Sequence, residues 1–251
     1  MGIITPTNKE VLGLEGLHLY HSALSNCAMR VRMALEEKKL PWESHHLDIT
    51  KKEHITPKYF GINPNGVVPT LVHDGVVIIE SDDIIDYIDQ TFPETPLRPE
   101  NPEDLEKMYW WMSSAVEIHV KAVKTFIYYH KMQGKMRQSE EQKRAYEKLQ
   151  TNQELIEFHK KSSEGFSTEE AEIAGKTLDS FFEKANEILK NQDWLVGDTF
   201  TLADITWVPL HFTLAGSGYN FDRYPAVQAW AERLREKESF KKAVLEWCPE
   251  F

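Results

Sequence analysis

Leu17-His18-Leu19-Tyr20, followed at residues 25–32 by Ser25-Asn26-Cys27-Ala28-Met29-Arg30-Val31-Arg32, is where the architecture becomes readable. The first four residues form a short, largely apolar run, as a β-strand requires. From Arg30, the apolar positions Val31, Met33, Ala34 and Leu35 give way to Glu36, Glu37, Lys38 and Lys39. This is an amphipathic helical pattern that Pro41 cannot continue. Ser25 therefore falls where a strand hands over to a helix. A helix N-terminus presents unpaired N–H groups and about half a positive charge, which favour a thiolate over a thiol. The Ser25 hydroxyl adds a donor there, so the segment reads as a cradle for a small acidic thiol, with plain N-capping as its structural alternative.

Downstream, Trp42 to Ile49 alternates as a strand, and Lys51 to Phe60 is a polar, proline-interrupted connection. Gly66 to Val72 reads as a strand, His73-Asp74-Gly75 as a hairpin turn, and Val76 to Ile79 as the partner strand. Ser81 is expected to cap a helix through Gln90 with Ile84, Ile85 and Ile88 as its buried stripe, ended by Phe92-Pro93. The order is βαβ, then ββα. Residues 1–15 show no period and are expected to form an arm ahead of a domain spanning 16–92. Four prolines between Pro93 and Pro102 suggest a stiff connector, residues 93–102, of the kind that separates domains. Residues 103–251 carry long helical periodicities, broken near Gly134, Gly165, Asp193 to Thr201 and Gly216 to Tyr224, and no convincing strand. Within them, Thr201-Leu202-Ala203-Asp204 has the spacing of a capping box, worth about 1 kcal/mol.

Composition narrows the function. Of 251 residues, 41% are hydrophobic and 27% charged, and no apolar run approaches the roughly 18 residues of a membrane span. The 29 basic and 40 acidic residues give a net charge of −11, which repels nucleic acid and anionic lipid, so neither is expected as a partner. The first twenty residues lack the pattern of a secretory signal, and the expected compartment is the cytoplasm. Two distant cysteines, Cys27 and Cys248, are expected to be reduced thiols. His45-His46 lie on a predicted strand where neighbours face opposite sides, and no Cys/His spacing matches a zinc site, so no metal is expected.

Taken together, these pieces resemble the glutathione S-transferase family. The matching segments run from Leu19-Tyr20 and Ser25 to Arg32, through Asn63-Pro64-Asn65-Gly66, Val68-Pro69, Glu80-Ser81 and Ile84 to Ile88, to Trp194-Leu195-Val196-Gly197 before the capping box. Each is weak alone, and their order is specific. Ser25 to Arg32 is similar to the zeta-class signature Ser-Ser-Cys-Ser-x-Arg-Val-Arg, from which Asn26 and Ala28 depart. The longer helical half, with a charged stretch from Gln138 to Glu164, looks more like bacterial tetrachlorohydroquinone dehalogenases and β-aryl-ether-cleaving enzymes. The resemblance implies a thioredoxin-like α/β N-terminal domain plus an all-α helical C-terminal domain, glutathione as co-substrate and a twofold dimer.

It also implies a site. Ser25, Asn26 and Cys27 would be catalytic. Pro69 would be a cis proline that turns the Val68 backbone toward the cysteinyl part of glutathione. Glu80 and Ser81 would hold the γ-glutamyl group, and His54, chosen from Lys51, Lys52, His54 and Lys58, the glycyl carboxylate. The aromatic cluster after the connector, represented by Tyr109, Trp110, His119 and Tyr128 together with Trp207 and His211, would line a pocket for a flat apolar electrophile, or else pack in the core. Ser25 and Ala28 stand where a Cys-x-x-Cys pair would, which excludes dithiol exchange in this loop. Three readings stay open: a transferase that adds glutathione thiolate to an aromatic or unsaturated electrophile; a glutathione-dependent isomerase, β-ether-cleaving enzyme or reductive dehalogenase using Cys27; and a non-catalytic glutathione-binding module.

Overall fold

The computed structural model of the chain describes residues 2–133 and 139–248. Five strands, β1 (Ile3–Ile4), β2 (Leu17–His21), β3 (Glu43–His46), β4 (Thr70–His73) and β5 (Val76–Ile79), form one sheet in the order β1-β5-β4-β2-β3. Only the β2/β3 pair is parallel. Helices α1 (Asn26–Glu37) and α3 (Ser81–Thr91) cover one face. The other is covered by α2 (Pro57–Phe60) and a 3-10 turn at Lys9–Gly13. Because side chains alternate across a strand, Leu71 and Ile78 join the larger core while Val72 and Val77 join the smaller one, and all four are fully buried. This is the thioredoxin-like arrangement.

Several elements differ from expectation. Residues 3–4 are not a detached arm segment: Ile3 and Ile4 extend the sheet as its edge strand against Ile78 and Val77. The third strand stops at His46 because Asp48 Oδ1 accepts from the Thr50 and Lys51 backbones and the Thr50 hydroxyl, folding the chain away from the ladder. The fourth starts at Thr70 rather than Gly66, since the Val67 carbonyl is taken by the Tyr59 hydroxyl (2.7 Å) and Asn63 Nδ2 (2.9 Å), and Pro69 has no N–H to donate. The hairpin turn itself is a two-residue Asp74-Gly75 loop with φ 48° and 78°.

The helical half comprises α4 (Pro102–Ile118), α5 (Thr125–Ile127), α6 (Glu140–Leu149), α7 (Gln153–Glu164), α8 (Thr168–Leu189), α9 (Leu202–Ala215), α10 (Pro225–Glu236) and α11 (Glu238–Phe240). Two π-helical turns, His119–Lys124 and Tyr128–Met132, continue α4 on either side of α5. No strand occurs in this half among the described residues. The break expected at Gly134, and Gln138 at the start of the charged stretch, lie outside them. Helix α9 is central, buried from Leu202 to Leu214, and packs on both α1 and α4.

The proline-rich connector is clamped. Lys38 Nζ, at the end of α1, reaches the carbonyls of Phe92 (2.6 Å) and Thr95 (2.7 Å) and the Asp89 carboxylate (2.7 Å). Arg98 returns to Asp86 and Asp89, and the Leu97 carbonyl accepts from Leu202 N–H. The capping box at Thr201 forms as expected: Thr201 Oγ1 accepts from Ala203 N–H while Asp204 accepts from Thr201 N–H. A second box, Ser167 with Glu170, opens α8.

Candidate functional site

Strand β2 leads through Ser22 into α1, and Ser25 is the N-cap of that helix. Its Oγ accepts from Ala28 N–H at 3.2 Å, which leaves the hydroxyl proton free to point outward. Asn26 follows, buried, with an Oδ1 that has no partner. Cys27 is partly exposed, and its Sγ lies 3.6 Å from Nδ1 of His119 at the end of α4. Sequence spacing could not anticipate that meeting across the two halves.

Two arginines of the same helix fix its orientation. Arg30 donates from Nε to the Thr206 carbonyl of α9 (3.0 Å) and from Nη1 to the Ser81 hydroxyl (3.2 Å), joining three elements from beneath. Arg32 donates to the carbonyls of Ala243, Ser22 and Ala23 and lies 3.1 Å from His21 Nδ1. Burial pushes Arg32 down to about 9 and, with Arg32 adjacent, holds His21 down to about 3, so His21 is a neutral acceptor for the guanidinium.

Opposite α1, the Val68–Pro69 bond is cis. The loop before it is held by Tyr59 and Asn63, both also bonded to Thr70 Oγ1 at 3.0 Å. Ser81 does not cap α3, as the sequence suggested. It is the first helical residue, its hydroxyl taken by Arg30, and the cap position belongs to Glu80, which makes no side-chain capping bond. Glu80 has φ 65° and ψ 120°, a backbone state that costs a residue with a β-carbon of order 1–3 kcal/mol. Burial, with Asp82 beside it, raises its carboxyl above the usual range, and Asn65 Nδ2 donates to it at 3.2 Å. Gln150, just past the end of α6, in turn donates to the Asn65 carbonyl at 2.7 Å, tying the helical half to this loop.

Of the four basic candidates, Lys51 pairs with Asp48 (3.2 Å) and Lys58 with Glu10 (2.8 Å). Lys52 and His54 remain. Burial and the neighbouring Lys52 bring His54 down to about 4, and its buried Nδ1 has no partner. His159 on α7 is brought to about 4 by burial and then by Lys52, His54 and Lys124. His119 lies well below the ordinary imidazole range, first through burial and then through Lys124 and Arg30. Burial also lowers Lys124 itself, with Cys27 opposing the shift.

The six expected pocket residues separate. His119 meets Cys27, and Tyr128 packs edge-on against Phe158 (5.6 Å), whose ring also lies under Lys124. Tyr109 instead donates to Asp86 beside Arg98, and Trp110 is on the surface with Lys184 3.6 Å above its ring. Trp207 is in the core, donating to the Trp111 carbonyl at 2.8 Å. His211 lies against Phe221 and lines a different cavity of about 370 Å³ with Tyr219 and Arg235. Helical periodicity did not separate these positions: Tyr109 and Trp110 are exposed, whereas Trp207 is buried in the core. Lys124, Phe158, His159 and Gln150 carried no signal that would have singled them out.

A group of potential metal donors does form on the sheet: His18, Glu43 and His45 have one ligand atom each within 4.8 Å of one another. It arises across the parallel β2/β3 pair, a register that adjacent positions in the sequence do not reveal. The two imidazoles already meet at 3.0 Å, and His18 Nε2 lies 3.0 Å from the Glu15 carbonyl.

A thioredoxin-like domain whose first helix packs on an all-helical domain is the two-domain architecture these elements define. The chain belongs to the glutathione S-transferase family: the N-terminal domain of those enzymes matches residues 19–96 and their C-terminal domain residues 122–238. It is 30% identical to glutathione S-transferase Z1 of Arabidopsis thaliana, over 95% of this chain and 96% of that one. The match to glutathione S-transferase 1 of Dianthus caryophyllus is 46% identical but spans 37% of this chain and 41% of that protein. Among solved structures, the β-etherase LigF of Sphingobium sp. strain SYK-6 superposes with a TM-score of 0.83 at 26% identity, covering 90% of this chain and 98% of that one. The protein is a glutathione transferase.

Proposed function

We propose that this enzyme binds glutathione as its thiolate and transfers it to a hydrophobic, aromatic or unsaturated electrophile. The tripeptide would lie with its γ-glutamyl group at Glu80 and Ser81, its cysteinyl backbone at Val68 before Pro69, and its glycyl carboxylate at Lys52 and His54. Its sulfur would then face Ser25. The observation carrying this reading is the Ser25 hydroxyl, which accepts from Ala28 N–H and keeps its own proton to donate at the α1 N-terminus. A thiol near 8.5 needs a depression of about two units, roughly 2.7 kcal/mol, to be mostly ionised at pH 7. One hydrogen bond to the anion contributes about 1.5–3 kcal/mol and the helix terminus about 0.3–1, which together suffice. The sulfur lone pair forms the new C–S bond, and either a leaving group departs with its electron pair or the added pair is taken up with a proton from water. The acceptor side would be His119 and Tyr128, and a twofold dimer is the expected assembly.

The 3.6 Å approach of Cys27 Sγ to His119 Nδ1 favours a second reading. In it, Cys27 thiolate attacks the sulfur of a glutathione conjugate, giving a mixed disulfide and a carbanion that takes a proton. A further glutathione then releases Cys27 and leaves as the disulfide of two glutathiones. Ultraviolet titration of the bound thiol in Ser25→Ala and Cys27→Ser separates the two. The first reading expects Ser25→Ala to return the bound thiol toward 8.5 and to cost about 10- to 100-fold in kcat/KM, with Cys27→Ser close to wild type. Loss of turnover in Cys27→Ser with Ser25→Ala largely active would transfer the role to Cys27.

A further inference from the structure

The protein as a whole carries −11, yet a lysine, Lys124, lies within electrostatic reach of Cys27. Lys124 lies in the π-helical turn after α4, its Nζ 5.0 Å from the Phe158 ring centroid on α7, and it acts electrostatically on His119 and His159. Lys52 and His54 act on the same His159 from the thioredoxin-like half. Among the described residues neither Lys52 nor Lys124 has a carboxylate partner, although the neighbouring Lys51 and Lys58 do. Holding an ammonium in a partly buried site without a counter-ion is costly, and a ligand anion removes the cost. The glycyl carboxylate of glutathione satisfies the Lys52 and His54 end. Lys124 is left over, on the side where the acceptor must approach.

Its surroundings define what could pair with it. Phe158, Tyr128 and Phe166 form an aromatic wall, with Phe158 5.6 Å from Tyr128 and 6.2 Å from Phe166. The π-helical turn directs the charge there. Residues five apart diverge by roughly 140° around an α-helix of 3.6 residues per turn, whereas i→i+5 bonding brings His119 and Lys124 toward one face.

We infer that the second substrate is an anionic electrophile, a carboxylate on a flat apolar frame, with the carboxylate held by Lys124 and the frame lying on Phe158 and Tyr128 beside Cys27 and His119. This rests on the glutathione reading given above. Its test needs no knowledge of the natural acceptor: isothermal titration calorimetry of S-(4-carboxybenzyl)glutathione, S-benzylglutathione and glutathione itself, with wild type, Lys124→Met and Lys124→Arg. The carboxylate is expected to bind wild type about tenfold more tightly than the neutral benzyl conjugate, a difference of about 1.4 kcal/mol. That ratio should fall to about one in Lys124→Met and return in Lys124→Arg. If Lys124→Met does not fold by circular dichroism, Lys124→Gln is measured in its place. Equal binding of the two conjugates by wild type, or a preference that survives loss of the ammonium, overturns the inference. If wild type binds neither glutathione nor either conjugate, the glutathione reading itself fails and this one with it.

Discussion

Replacing Asp204 by alanine removes a carboxylate on which two distant segments converge. Asp204 is fully buried and accepts from Leu195 N–H (2.9 Å), Thr201 N–H (3.0 Å), Trp230 Nε1 (2.8 Å) and the Thr201 hydroxyl (3.3 Å). The substitution strands three N–H donors in the core, and each buried donor left unpaired costs about 1–3 kcal/mol. Allowing for partial relaxation, the expected loss is roughly 3–5 kcal/mol, which at about 2–4 °C per kcal/mol for a chain of this size lowers Tm by about 10 °C. The molecule contains its own control. Glu170 occupies the equivalent position of the Ser167 box, but on the surface, and Glu170→Ala should cost only about 1 kcal/mol. Urea unfolding followed by tryptophan fluorescence and circular dichroism, with calorimetric Tm, measures both variants. If Asp204→Ala costs no more than Glu170→Ala, the carboxylate is an ordinary cap and the argument from stranded donors is wrong.

Arg30→Lys keeps the charge and loses the fork that reaches Ser81 and Thr206 together. It should raise the glutathione KM about tenfold, or about 1.4 kcal/mol, and a KM within twofold of wild type would reduce Arg30 to a peg for α9 alone. Burial holds His54, His159 and His211 near about 4, below the ordinary 6.5. Between those values the unfolded chain binds protons that the folded chain does not, so stability should fall as pH drops from 6.5 to 4, and His21, held down to about 3, carries the fall further. For His211 alone the shift corresponds to about 3 kcal/mol, and urea midpoints that stay flat across this window would contradict it.

The sequence by itself determined the local half of the story. The strand into Ser25, the hairpin at Asp74-Gly75 and the Thr201 box are written in periodicity, turn chemistry and capping spacing, which act over a few residues, and all three are present. The residue order that resembles a glutathione transferase likewise survives in one dimension. Tertiary structure decided what those local pieces meet. The Thr201 box was legible as a cap, but that its carboxylate also holds Leu195 and Trp230 depends on the packing of α10. Aromatic positions at helical spacing look alike whether they pack in the core, as Trp207 does, or lie on the surface, as Trp110 does. The meetings of Cys27 with His119, and of Gln150 with Asn65, join residues 92 and 85 positions apart. No local rule encodes such a distance, because it is set by the docking of one whole domain against the other.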